Sequence, residues 1–176
     1  MLLDDFLPRF DFQSKHELLI EAPVERVWTS VLSTDFSKLR MVRFLFLLRG
    51  YTDKLPAAHN LMEDIRPYGF LELAARQYQE IVIGGIGKPW QKSGAFVHGL
   101  DTDRYLDFAE PGYVRIIANL SLVPKGRHST TLSTETRAQA TDEKARAHFA
   151  PYWALIKKPS GWIRSAVLKD IAARSL

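Results

Sequence analysis

The side chains able to do chemistry are scattered along this chain of 176 residues. Its five histidines, His16, His59, His98, His128 and His148, never fall at the spacing of a metal-ligand pair. Cysteine is absent, which excludes disulfides and thiolate metal sites and removes the thiol nucleophile. No Gly-x-Ser-x-Gly turn presents a serine nucleophile. Asp101-Thr102-Asp103 is like a fragment of a calcium loop, but the glycine and distal glutamate that complete one are missing, and a solvated turn is the simpler reading. Gly84, Gly85 and Gly87 precede Lys88, yet Val82 stands where a phosphate-cradling loop needs its first glycine, and Pro89 stands where it needs a hydroxyl. Glycines at a strand end more often mark a bulge or a close backbone approach. No metal and no cofactor are expected.

Acid–base chemistry has two candidates. Glu80 shares a strand side with Val82; facing a cavity, it would be a carboxyl with a raised pKa, able to act as acid or base. The simpler reading puts that side in water or pairs Glu80 with a buried arginine. His16 shares a side with Leu18 and Ile20 but lies at the start of its strand. Glu135 and Arg137, two apart on one strand face, read as an exposed ion pair worth little, with Arg137 holding an acidic ligand as the functional alternative. Thr134 and Thr136 instead share the side of Leu132 and Ala138, and a hydroxyl on an apolar face either bonds to backbone or lines a cavity. The aromatic set Trp90, Phe96, Phe108, Phe149, Trp153 and Trp162 is core material in the first instance.

These residues must be positioned by a few elements. From Asp142 to Ala173, Phe149, Trp153, Ile156, Ile163, Val167 and Ile171 recur at helical steps and predict a long terminal helix with one apolar stripe. Thr141 or Asp142 caps it, and Pro151 and Pro159-Ser160-Gly161 are expected to kink or break it. Residues 1–14 read as an extended arm ahead of a single domain, 15–176. Lys15 to Ala22 alternates as a strand, and Pro23 opens a short helix over Val24 to Leu32. Asp35 to Arg49 reads as a second helix, whose apolar half, Met41 to Leu48, is either buried or a movable cover. Phe70 to Ala75 and Tyr78 to Ile86 form a hairpin, and Arg104 to Ala109 a short strand. Tyr113 to Val123 and His128 to Ala140 are two long strands joined by a turn. Strands linked by short turns, with helices grouped at the ends, make an α+β chain with an antiparallel sheet.

Composition fits one soluble domain, with 46% hydrophobic and 25% charged residues. The net charge is +4, but the basic residues are spread rather than gathered into a stripe with stacking aromatics, so no nucleic-acid partner is expected. No run is long enough to span a bilayer, and the acidic start MLLDDFLPRFDF lacks a signal-peptide flank, so the expected location is cytoplasmic, without integral membrane association.

The order of elements, with a strand ending in Ala22-Pro23 and followed by Val24-Glu25-Arg26-Val27-Trp28, resembles the START and polyketide-cyclase superfamily. The likeness covers most of the chain after Ser14. It implies a helix-grip fold: a curved antiparallel sheet of six or seven strands around the C-terminal helix, two short helices after the first strand, and a cavity between sheet and helix. The implied function is binding of an apolar or amphipathic small molecule such as a lipid or polyketide. Phe149, Trp153 and Ile156 would form the helix wall, Thr134, Thr136 and Phe108 part of the sheet wall, and Trp90 a rim, with Glu80 as a further candidate. Two alternatives stand beside this reading. One is a cyclase or dehydratase using Glu80 or His16; the other is a module binding a protein partner through Met41 to Leu48 or the basic helix face.

Overall fold

The computed structural model describes residues 1–34, 65–91 and 94–176. Five strands form one curved antiparallel sheet: β1 (Phe12–Ile20), β2 (Phe70–Arg76), β3 (Glu80–Gly87), β4 (Val114–Pro124) and β5 (Thr130–Ala140). Their order is β1-β5-β4-β3-β2. The helices are α1 (Leu2–Phe6), α2 (Val24–Leu32), α3 (Thr102–Asp107) and α4 (Glu143–Ser175), with a 3-10 turn at Arg66–Tyr68. The predicted second helix, Asp35 to Arg49, with its apolar run Met41 to Leu48, lies outside the described residues.

Strand alternation divides the core into two faces. One side of β4 and β5 presents Leu120, Leu122 and Leu132 to Val167, Leu168 and Ile171 of α4 and to Val27, Trp28 and Val31 of α2. Further along the same face, Val114 and Ala138 pack with Phe149 and Trp153. The opposite face carries Val82, Ile86 and Ile117, covered by Leu3 and Leu7 of the N-terminal segment and by Tyr105 of α3. Both faces of the sheet are therefore dry over much of their area. Gly84 exists for that second face: a Cβ there would lie 2.6 Å from the Leu73 side chain and 2.9 Å from the Tyr105 ring.

Five expectations change. The described sheet has five strands, not six or seven. Arg104 to Ala109 is no strand, because Asp101 accepts a hydrogen bond from the Arg104 N–H (2.8 Å) and starts α3. Asp101 and Thr102 are thus a helix start rather than a solvated turn. Residues 1–14 are not extended throughout, since Leu2–Phe6 is helical and β1 begins at Phe12. Finally, α4 runs unbroken for 33 residues through Pro151 and Pro159. Each proline forfeits a ladder hydrogen bond. Burial of Phe149 before Pro151, of Trp153 between the two prolines and of Val167, Leu168 and Ile171 after Pro159 holds the helix along one sheet face. Asp142 is the cap, accepting from the Ala145 N–H at 2.6 Å.

Candidate functional site

The two clusters that α4 makes with the sheet do not meet. Between them the row of residues running across β3, β4, β5 and β1 is Ile83, Ala118, Thr136 and Ser14, which are register partners in turn. Three of these four are small. Opposite them α4 carries Ile163, Arg164 and Val167. Space is left unfilled, and a pocket of about 160 Å³ results, with Ile81, Ile83, Leu120, Ile163 and Val167 as its apolar walls. Its polar lining includes Thr134, Thr136 and Arg164.

Arg164 is the unusual member. Its Nη1 is buried without a hydrogen-bond partner among the described residues. Burial pushes its pKa down to about 10, with no counter-charge among the described residues to offset it. His16, the register partner of Thr134, lies on the same side of the sheet. Its Nδ1 is likewise buried and unpartnered. Burial, and secondarily the charge of Arg164, lowers the His16 pKa. The ring sits hard against α4, where a Cβ on Gly161 would fall 2.9 Å from His16 Nε2. Gly161, predicted to help interrupt the helix, instead lets β1 approach it.

The side chains predicted from sequence separate into three groups. Thr134 and Thr136 line the pocket and are almost fully buried. Phe149, Trp153 and Ile156 sit on the predicted helix face but fill an aromatic cluster beside the pocket, with Phe12 5.0 Å from Phe149 between ring centroids. Trp90 joins that cluster, stacked on His148 at 5.8 Å and edge-on to Phe149 at 6.3 Å. Phe108 and Glu80 lie on the other face. Phe108 packs edge-to-face on Tyr113 at 5.2 Å within the cluster beneath Leu3 and Leu7.

Glu80 belongs to a buried polar chain on that outer face. It accepts from the Leu2 N–H at 2.7 Å and from Asn119 Nδ2 at 2.6 Å. Asn119 Oδ1 in turn takes the Glu135 N–H at 2.7 Å, in a gap where β4 and β5 are not paired, between Ala118↔Thr136 and Ser121↔Ser133. Arg137 donates to Glu135 at 2.6 Å, to Asp4 at 2.7 Å and to the Leu7 carbonyl at 3.1 Å. Glu135 and Arg137 are therefore not an exposed pair; they are buried at 4% and 7% exposure. Burial alone would lower the Arg137 pKa, but the hydrogen bonds to Glu135 and Asp4 outweigh it and raise it. The same Arg137 bond lowers the Asp4 pKa. Both carboxylates are occupied in holding the chain's first residues to the sheet, so neither is free for chemistry in the pocket.

Among the described residues no group of three or more His, Asp or Glu side chains could hold a metal ion. No described helix is long and apolar enough to cross a membrane.

An α+β chain whose curved antiparallel sheet packs along a long C-terminal helix has the helix-grip arrangement, and that class is defined by this chain's own topology. No family model and no curated protein matches the sequence. Among solved structures, the chain is similar to a conserved protein from Geobacillus kaustophilus, with 12% identity over 93% of this chain and 95% of that one and a TM-score of 0.46. It is similar also to a hypothetical protein from Helicobacter pylori, with 7% identity over 98% and 94% and a TM-score of 0.45. Truncated norcoclaurine synthase from Thalictrum flavum matches at 14% identity over 93% and 91%, with a TM-score of 0.44. Likenesses at this level carry nothing about activity.

Proposed function

We propose that the chain binds a small apolar or amphipathic molecule in the pocket between its sheet and α4, in the manner that its resemblance to START and polyketide-cyclase proteins implies. The observation that carries this is the unfilled row at Ala118 and Thr136, walled by isoleucine, leucine and valine and opposed by Arg164 of α4. The pocket is concave, partly open and mostly apolar with a few polar groups directed into it, which is the character of small-molecule sites. The volume also sets the ligand's scale. An apolar cavity of about 150 Å³ takes a benzene-sized body, so a sterol or long-chain lipid would require the walls to part. The proposed setting is a soluble, cytoplasmic protein. Native mass spectrometry of the purified chain, followed by titration with small aromatic probes, tests the reading. A bound small molecule, or saturable probe binding lost on filling the pocket with Ala118→Leu, supports it. No binding by either route ends it.

A second reading, acid–base catalysis, rests on His16 alone, because Glu80 is turned to the other face. His16 combines an unpartnered nitrogen with a depressed pKa beside the pocket. Mass analysis of a bound molecule before and after incubation with the protein decides it, and recovery of unchanged material removes the enzyme reading.

A further inference from the structure

The pocket's contents of charge are lopsided. Arg164 contributes a guanidinium, and none of the described residues lining the pocket is acidic. The buried carboxylates on the sheet, Glu80 and Glu135, point to the other face, where Asn119, Arg137 and the N-terminal segment engage them. A buried charge with no partner is costly and is ordinarily paired or removed. Here one remains with a buried, unsatisfied Nη1. Beside it, the hydroxyls of Thr134 and Thr136 make no hydrogen bond to any described residue. Donors without acceptors thus line one part of the pocket, and apolar walls make up most of the rest.

We infer that the pocket takes a small monocarboxylate, an aromatic or branched acid with a body about the size of one ring, its carboxylate paired with Arg164 and its body against Ile81, Ile83, Leu120 and Val167. The planar fork of arginine matches a carboxylate in two parallel hydrogen bonds. The threonine hydroxyls can donate to whichever carboxylate lone pairs the fork leaves free. The pocket volume of about 160 Å³ accommodates a ring-sized body and little more. This inference rests on the binding function proposed above and adds the ligand's charge and size to it.

The test is calorimetric titration of the full chain with benzoate, benzyl alcohol and phenyl phosphate. Benzoate is expected to bind at least about tenfold tighter than benzyl alcohol, the margin of one charge-assisted hydrogen bond. Arg164→Met is expected to abolish that margin while leaving benzyl alcohol within about threefold of its original affinity. If Arg164→Met does not fold, Arg164→Lys keeps the charge without the fork and should reduce the margin. The comparison of the two probes on the unaltered chain decides the matter in either case. Binding of benzyl alcohol as tight as that of benzoate overturns the carboxylate inference and leaves the pocket standing. Tighter binding of phenyl phosphate overturns the choice of anion. Failure of all three probes overturns the binding function itself.

Discussion

Arg164 and His16 both keep an unpartnered nitrogen under α4, and the charge of the first makes protonation of the second harder. For Arg164 this has a direct energetic reading. A pKa lowered to about 10 means that, at neutral pH, the folded state carries the charge at a disadvantage relative to the unfolded chain. Arg164→Met should therefore raise stability by about 1–3 kcal/mol, read as an increased urea midpoint with an unchanged slope. For His16 the sign runs with acid. Its folded pKa lies below the ordinary 6.5, so its contribution is complete above that value and is lost as pH falls toward the folded pKa. Urea midpoints should decline over that interval, and His16→Gln should flatten the decline. Both residues were legible in part. His16 shares a strand side with Leu18 and Ile20, and alternation puts it on the core face. Arg164 follows stripe residue Ile163 and stands four before Leu168, yet a stripe defined by apolar type passes over it. Periodicity finds which positions face inward; it does not ask whether a polar residue occupies one.

Element boundaries followed the same division. The two long strands and the Asp142 cap were readable because alternation and capping are local. Alternation also resolves the stretch from Thr134 to Arg137, whose threonines go to the pocket and whose charged residues go to the N-terminal segment. The break expected at the helix prolines does not occur: their local penalty is real, but the packing that keeps the helix continuous is spread over residues far apart in sequence. Gly161 has a consequence that sequence alone could not give. An exposed helical Gly→Ala change gains about 0.8–1.0 kcal/mol of helix propensity. Here the added Cβ would meet His16 Nε2 at 2.9 Å. Gly161→Ala is expected to destabilise by about 1 kcal/mol, since overpacking costs exceed the propensity gain. In a His16→Ala background the same change should stabilise by about 1 kcal/mol. A double-mutant cycle by chemical denaturation measures this, and additive effects would show that the ring yields freely.

At the scale of the whole molecule, the chain's first residues act as a cover for the sheet's outer face. Leu3 and Leu7 are fully buried there, and Asp4 reaches the Arg137 guanidinium. No sequence pattern announces this, because a five-residue helix is too short to show a period and its partners lie about seventy to 130 residues further along the chain. Glu80→Gln tests the separation of the two faces. The amide has one acceptor oxygen where the carboxylate receives two donors, so stability should fall by about 1–3 kcal/mol. Ligand affinity should stay as it was, measured with whichever probe binds the unaltered chain. The gap between β4 and β5 carries a last consequence. Leu2 N–H, Glu80, Asn119 and Glu135 N–H form one continuous relay of hydrogen bonds. The amide of Glu135 is thus sheltered by a side chain rather than by the neighbouring strand. Deuterium exchange should therefore report the two amides, far apart in sequence, as one opening unit. Asn119→Ala should speed exchange at Glu135 directly and at Leu2 through Glu80, while amides of the β1–β5 ladder exchange as before. The start of the chain and the middle of its sheet would then melt together, as parts of a single seam.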